Sequence, residues 1–194
     1  MDGVRVLMIA PPGAGKGTQG AVIAEHFHVP RVGIGDLLRR HVAEETELGR
    51  RVRGHLEHGE LVDDEIVLEL LRQGLTEAKA AGGGYVLDGI PRTMAQALAA
   101  YRVALSLHMT ADVALHLSAD DDELMRRLLK RAEIEHRADD TEAVIRQRLR
   151  LYREVTQPVL TFYAHRGILV NVDAMRSVEV VSLDVLAALE ARAG

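Results

Sequence analysis

The stretch Ala10-Pro11-Pro12-Gly13-Ala14-Gly15-Lys16-Gly17-Thr18-Gln19 decides the interpretation of the whole chain. It follows the apolar run from Val4 to Ala10, which predicts a buried strand, and it opens a pattern typical of a helix that reaches about Phe27. A glycine-rich loop in this position brings backbone N–H groups close to phosphate oxygens, and the start of the helix adds partial positive charge. A plain tight turn is the weaker alternative for this pattern behind a buried strand.

The loop is therefore predicted to bind nucleotide phosphates. Lys16 would reach the β- and γ-phosphates, and Thr18 would lie near a metal ion bound to them. The residues predicted to contact the nucleotide here are Gly13, Ala14, Gly15, Lys16, Gly17 and Thr18. Ala10 occupies the place of the first glycine in the usual loop pattern, where a positive φ would be costly for alanine.

Short β-rich runs alternate with longer helical patterns along the rest of the chain. After the first strand, the predicted strands are Arg31–Ile34, Tyr85–Asp88, Val113–Leu117 and Ile168–Val172. Because helical segments separate them, the strands are expected to be parallel and joined by crossover connections. The sequence predicts a single α/β domain over 1–194, with a five-stranded parallel sheet and helices on both faces.

Two stretches are predicted to leave this core. The first is 35–65, within a helical pattern that runs from Asp36 to about Ala81 and is expected to break near Gly49 and Gly59. The second is the charged segment 132–140, between a helix from about 121 to 131 and a helical stretch, 141–166, that Pro158 should break or kink. Ligands of such sheets bind beyond the carboxyl ends of the strands, so both stretches could close over one.

Composition excludes several classes of protein. The chain has 194 residues, with 29 acidic and 24 basic ones and a net charge of −5, which argues against general nucleic-acid binding. No apolar run approaches the roughly 18 residues of a membrane-spanning helix. The N-terminus does not have the pattern of a signal peptide, and there is no cysteine, so we expect a cytoplasmic protein without a membrane partner. The histidines show no convincing metal-ligand spacing.

Four segments in the same order resemble the adenylate kinases and their nucleoside monophosphate kinase relatives. The decapeptide 10–19 resembles GxPGxGKGTQ, and Tyr85-Val86-Leu87-Asp88-Gly89-Ile90-Pro91-Arg92-Thr93 resembles FLLDGFPRT. Gly35-Asp36-Leu37-Leu38-Arg39 resembles TGDLLR, and Arg137-Ala138-Asp139-Asp140 resembles the RxDD of the lid. The resemblance covers nearly the whole chain. It implies a P-loop kinase core with a nucleoside monophosphate (NMP) binding subdomain, 35–65, and a short lid, 131–141.

The resemblance also assigns roles to residues. Arg39 resembles the arginine that holds the monophosphate, and Arg92 the one that bridges the acceptor phosphate and the transferred group. Arg127 and Arg131, four apart on one helix face, resemble the pair that binds ATP, and Arg137 and Arg148 the two that clamp the transferred phosphoryl group. The implied catalytic set is Lys16, Arg92, Arg131, Arg137 and Arg148. Asp88, at the end of an apolar strand, is predicted to hold Mg²⁺ through water, and Arg176 is a weaker ATP-binding candidate.

The residues that the resemblance assigns to the acceptor site match the family pattern less completely. Gln96 resembles the glutamine that reads the adenine of AMP, and Glu60-Leu61-Val62 and Gly89 resemble other parts of the AMP site. Ile34, also placed in that site, stands where the family has a hydrogen-bonding residue, and Ile90 stands where it has Phe. The reading that follows is a monomeric, Mg²⁺-dependent kinase that converts ATP and AMP to two ADP. A kinase with another acceptor, such as CMP, UMP or a modified nucleotide, stays open. So does a binding protein with low catalysis, which Ala10 and the acidic lid residues Glu133 and Glu135 would favour.

Overall fold

A five-stranded parallel sheet forms the centre of the computed structural model, which describes residues 3–135 and 141–193. The strands are β1 (Arg5–Ile9), β2 (Arg31–Gly33), β3 (Tyr85–Asp88), β4 (Val113–Ser118) and β5 (Leu169–Asp173). Their order across the sheet is β2-β3-β1-β4-β5, and all the pairings are parallel. The predicted α/β class and the five predicted strands are confirmed.

Helices connect the strands and cover both faces of the sheet. Before β3 they are α1 (Lys16–Phe27), α2 (Ile34–Ala43), α3 (Glu47–His58) and α4 (Asp64–Ala80). After β3 they are α5 (Met94–Leu107), α6 (Asp121–Glu135), α7 (Glu142–Leu151), α8 (Val159–His165) and α9 (Val178–Ala193), with a π-helical turn (Tyr152–Thr156) between α7 and α8. No helix in the described part of the chain combines the length and the apolar character needed to cross a bilayer.

The alternation of side chains along β1 explains why the sheet is covered on both sides. Leu7 and Ile9 pack in one apolar cluster with residues of α4, α5 and α8, whereas Val6 and Met8 pack in a second cluster with residues of α1, α6 and α9. A strand buried on both faces reads as a continuous apolar run, as this one does. The core therefore has two layers, one on each side of the sheet.

Strand register brings three candidate segments to the same edge of the sheet. Met8 of β1 lies opposite Asp88 of β3, and Asp88 in turn lies opposite Gly33 of β2. The glycine loop after β1 and the start of α2 after β2 consequently flank Asp88. Ile34, predicted as the last residue of a strand, is instead the first residue of α2.

The break predicted near Gly49 is present, but the glycine itself does not make it. The chain turns at residues 44–46, and Gly49 lies in the first turn of α3, where its N–H donates to the side chain of Thr46 at 3.0 Å. A Cβ at Gly49 would stand 1.9 Å from the carbonyl oxygen of His41 on α2. The glycine therefore permits close approach of two helices rather than ending one. Gly59 does end α3, with a left-handed φ of 69°.

Around the predicted lid, one helix boundary differs from the sequence prediction and one interruption agrees with it. Helix α6 continues past Arg131 to Glu135, since Ala132 to Glu135 contain neither glycine nor proline. The expected interruption before Pro158 is confirmed and takes the form of the π-helical turn, in which Gln157 donates to the carbonyl of Tyr152 at 2.7 Å. Residues 136–140 of the predicted lid lie outside the described residues.

Two glycines of α3 offer a matched test of this packing. Gly49→Ala should lower the free energy of unfolding by about 2 kcal/mol, because the new methyl group overlaps the backbone of α2. Gly54→Ala, whose Cβ would meet no atom within 4 Å, should raise it by about 0.5–1 kcal/mol through helix propensity. Urea unfolding of both variants measures the difference. Equal stability of the two variants would contradict the close α2–α3 contact.

Candidate active site

A large cleft opens at the carboxyl edge of the sheet. Its volume is about 1060 Å³, at or above the upper end of the roughly 300–1,000 Å³ typical of one small-molecule site. The glycine loop, α2, the turn after α3, the β3–α5 connection, α6, α7 and the start of α9 contribute to its walls. Its size and its several walls are suited to two ligands held side by side.

The structure brings nearly all of the predicted site residues around this cleft. Arg137 alone among them lies outside the described residues. The others line the cleft: Gly13, Ala14, Gly15, Lys16, Gly17, Thr18, Ile34, Arg39, Glu60, Leu61, Val62, Asp88, Gly89, Arg92, Gln96, Arg127, Arg131, Arg148 and Arg176. Their individual roles stay predictions, but residues that are far apart in sequence share one surface.

The glycine loop leaves room where side chains would otherwise stand. Gly13 and Gly15 have φ values of 87° and 89°, a conformation that favours glycine. A Cβ at Gly13 would also stand 2.9 Å from Cγ of Leu128, on α6. At Gly15 and Gly17 a Cβ would meet nothing within 4 Å. The loop therefore borders open space at the start of α1, which is the arrangement that an anion-binding helix N-terminus requires.

Lys16 lies at the base of this loop. Its Nζ donates to the carbonyl oxygens of Ala10 and Pro11, at 2.8 and 3.1 Å. Desolvation lowers the pKa of Lys16 to about 8, with Asp88 acting against that shift and Arg92 adding to it. Ala10 is not among the described residues with positive φ, so the strain anticipated from its replacement of glycine is absent.

Arg92 is held through its main chain on both sides. Its N–H donates to Oε1 of Gln96 at 2.8 Å, and its carbonyl accepts from the hydroxyl of Thr156 at 2.9 Å. The guanidinium group is open to the water of the cleft, but its surroundings still lower its pKa, first by desolvation and then through Arg148 and Arg39, against the attraction of Asp88. Like charges that converge in this way favour an anion between them.

The other arginines approach from separate helices. Arg39 of α2 donates to Oδ1 of Asp36 at 2.5 Å. Arg148 of α7 donates to the carbonyl of Leu56 near the end of α3 at 3.4 Å, and so joins these two helices. These contacts position the guanidinium groups but leave them at the cleft wall, within reach of a ligand.

On α6, Glu123 accepts hydrogen bonds from two neighbouring arginines and holds them in place. Nε of Arg127 donates to Oε1 of Glu123 at 2.6 Å, and Arg126 donates to both oxygens of the same carboxylate, at 2.7 and 2.9 Å. Hydrogen bonds from Arg126 and then Arg127 lower the pKa of Glu123 to about 2. Arg176 pairs with Asp184 of α9. The α6 wall therefore presents fixed cationic groups.

Asp88 has the features expected of a residue that holds a hydrated cation. Its Oδ1 is buried and has no hydrogen-bond partner among the described residues, although it stands at the edge of the cleft. A buried polar atom without a partner is uncommon and points to a missing one. No cluster of three or more potential ligands is found in the described ranges. Mg²⁺ fits such a site, because it keeps several waters and takes its remaining ligands from substrate phosphates.

The acceptor side combines apolar walls with one buried amide. Ile34 and Ile90 are each 1% exposed and form part of the cleft wall. Gln96 is also 1% exposed, and its Nε2 donates to Oδ1 of Asp64 at 2.8 Å. The predicted backbone stretch 60–62 follows Gly59 and contributes the opposite side. This part of the cleft is suited to a flat, largely apolar base with a polar edge.

Sequence reasoning missed several residues of the site. It gave a place in the site neither to Glu123, in the acidic first turn of α6, nor to Arg126. Tyr152 and Thr156, at the two ends of the π-helical turn, also line the cleft. The four-residue spacing of Glu123 and Arg127, which is typical of an ion pair on one helix face, was the signal that could have identified Glu123. The π-turn had none beyond the nearby proline.

Comparison with known proteins agrees with this geometry. The family model described as adenylate kinase matches residues 8–168. The adenylate kinase of Thermobifida fusca is 42% identical over 190 residues, which cover 98% of this chain and all of the relative. That of Kocuria rhizophila is 46% identical over 186 residues, covering 96% and 98% of the two chains. That of Thermus thermophilus is 41% identical over 187 residues, covering 96% and 97%.

The family model spans the glycine loop, the Asp88 segment and the helices that carry Arg39, Arg127, Arg131 and Arg148. The chain belongs to the adenylate kinase family.

Proposed function

We propose that this chain transfers the γ-phosphoryl group of ATP to AMP and produces two molecules of ADP. The observation that carries the proposal is the convergence of Lys16, Arg92 and Arg148 on one cleft beside an open glycine loop. An acceptor phosphate is already an anion at neutral pH, so the reaction needs no general base. Its main obstacle is the repulsion between two polyanions, which cationic groups in fixed positions overcome.

The donor nucleotide is assigned to the glycine loop and α6. The N–H groups of the loop bind the phosphates, and Lys16 exchanges the carbonyls of Ala10 and Pro11 for phosphate oxygens. Arg127, held by Glu123, and Arg131 lie on the α6 wall where the donor base and phosphates would be. Arg176 borders the same end of the cleft.

The acceptor nucleotide is assigned to the other half of the cleft. Arg39 holds its phosphate, while Gln96 and the stretch 60–62 face its base. Arg92 belongs to the β3–α5 connection and lines the same cleft as Arg39 and Arg148. Arg92 is thus placed to contact both the acceptor phosphate and the transferred group, and Arg148 and Arg137 would complete the clamp.

Mg²⁺ is the implied cofactor. Asp88 would hold it through water molecules, as its unpartnered Oδ1 suggests, with Thr18 as a weaker candidate ligand. When bound, the ion neutralises charge on the donor phosphates. The chain's own contribution is to keep this carboxylate half-buried, with Oδ1 shielded, at the carboxyl end of β3 beside the glycine loop.

A different acceptor is the second candidate, and buried Ile34 is the observation that favours it. An isoleucine cannot donate the hydrogen bond that a threonine or serine would, which removes an interaction worth about 0.5–1.5 kcal/mol. Of the two features that would favour a binding protein with low catalysis, one no longer applies, because Ala10 has no positive φ.

Several expectations from the sequence remain as proposals. The stretch 35–65 would act as a subdomain that closes over the acceptor, and 131–141 as a short lid. A cytoplasmic location and a monomeric state are also expected. A sedimentation measurement of the purified protein with and without nucleotides checks the last of these.

The proposed reaction predicts rapid ADP formation from ATP, AMP and Mg²⁺. Lys16→Met should lower kcat/KM at least about 100-fold, because it removes a charge aimed at the transferred group. Lys130→Met is the control, because it changes an exposed lysine of α6 that does not line the cleft, and it should leave the rate unchanged. A coupled assay over AMP, dAMP, CMP, UMP and GMP gives both the rate and the acceptor. Faster turnover with CMP or UMP than with AMP would replace the proposed acceptor.

The contact between Thr156 and Arg92 predicts a positioning effect on the rate. Thr156→Val keeps the shape but leaves the Arg92 carbonyl without its donor, so kcat should fall about 5- to 30-fold with little change in the KM for ATP. Thr156→Ser should restore most of the rate. Thr161→Val, at an exposed position of α8, is the matched control. A Thr156→Val enzyme as fast as the control would show that Arg92 does not depend on this bond.

A further inference from the structure

The side-chain amide of Gln96 is fixed in one orientation. Its Oε1 accepts the N–H of Arg92 at 2.8 Å, and its Nε2 donates to Oδ1 of Asp64 at 2.8 Å. A backbone N–H can only donate, and an ionised carboxylate can only accept. The reversed amide would place donor against donor and acceptor against acceptor. The two neighbours therefore define which end of the amide is oxygen.

Part of the hydrogen-bonding capacity of the Gln96 amide stays available to a ligand. An amide has two N–H donors and two acceptor lone pairs, and each of the two bonds uses one of them. One N–H and one lone pair remain on a side chain that is 1% exposed and lines the cleft. Such a pair suits a base edge with one donor and one acceptor, as in the recognition of adenine by glutamine.

We propose that Asp64 is a specificity-determining residue, which orients the Gln96 amide so that the cleft favours a 6-amino over a 6-keto purine monophosphate. This inference rests on the proposed function, since it takes Gln96 as the residue that faces the acceptor base. Asp64 acts through Gln96 and is not itself part of the cleft wall. It is a positioning residue.

The discrimination follows from the order of donor and acceptor along the base edge. Adenine presents a 6-amino donor beside the N1 acceptor, whereas hypoxanthine presents a 6-keto acceptor beside an N1–H donor. An amide free to rotate by 180° could match either base. An amide locked by Asp64 and the Arg92 N–H can match only one of them, and the other would leave polar groups unpaired.

A purely structural role for Gln96 predicts a different result. Thr93 is the N-cap of α5 and accepts the N–H of Gln96 at 3.0 Å, so the pair resembles a capping box. In that role the glutamine stabilises the start of α5 and its loss changes stability. The bond to Asp64 comes from another helix, α4, and lies outside the cap. Base discrimination therefore separates the two roles.

The test compares binding of AMP and of IMP, which differ only at the 6-position edge. Asp64→Ala and Asp64→Ser remove the carboxylate, and Asp64→Asn keeps an acceptor oxygen. Asp63→Ala is the matched control, because it removes the neighbouring carboxylate from the same end of α4, where no side-chain cap bond is made. Isothermal titration gives the AMP:IMP affinity ratio of the intact protein without any need for turnover, and urea unfolding gives the stability of each variant.

We expect Asp64→Ala and Asp64→Ser to lower the AMP:IMP ratio about tenfold, the scale of one charge-assisted hydrogen bond. Asp64→Asn should retain most of the ratio, and Asp63→Ala all of it. A ratio in Asp64→Ala within twofold of that in Asp63→Ala overturns the inference, as does a loss of AMP and IMP affinity in equal proportion. A wild-type protein that binds AMP selectively but does not phosphorylate it counts against the proposed function alone.

Discussion

The parallel pairing of β1 with β3 is the constraint on which the rest of the site depends. It places Met8 opposite Asp88, so that the glycine loop leaves the sheet beside the carboxylate that ends β3. A slip of one residue would exchange the two faces of β1, because Val6 and Met8 pack in one apolar layer and Leu7 and Ile9 in the other. Packing of the core therefore fixes the register, and the register fixes the distance between the phosphate-binding loop and Asp88.

Positive charge is then concentrated in the cleft at the carboxyl ends of the strands. The chain as a whole carries a net charge of −5, yet the cleft gathers arginines from α2, α6, α7 and the β3–α5 connection. Each group is held by a carbonyl or carboxylate, such as Leu56 for Arg148 and Glu123 for Arg127. Groups fixed in advance need little reorganisation when a charged ligand arrives, and this is the main source of catalysis in phosphoryl transfer.

The sequence was informative wherever local chemistry alone determines structure. A buried strand, a glycine loop and a helix give a phosphate cradle regardless of the rest of the fold, and alternating strands and helices give a parallel sheet. It was not informative where two distant elements meet. Gly49 looked like a helix breaker because nothing in its neighbours reveals that the backbone of α2 passes its Cα. In the same way, the bonds of Gln96 to Asp64 and of Thr156 to Arg92 join residues that are 32 and 64 positions apart.

The contact between Gly13 and Leu128 makes the phosphate loop and α6 parts of one mechanical unit. Because a Cβ at Gly13 would stand 2.9 Å from Leu128, the loop backbone rests directly on the helix that carries Arg127 and Arg131. A tilt of α6 would press on the loop, and a loop that changes shape around a triphosphate would press on α6. A ligand that reshapes the loop is therefore expected to move α6 with it, and so to shift the guanidinium groups of Arg127 and Arg131.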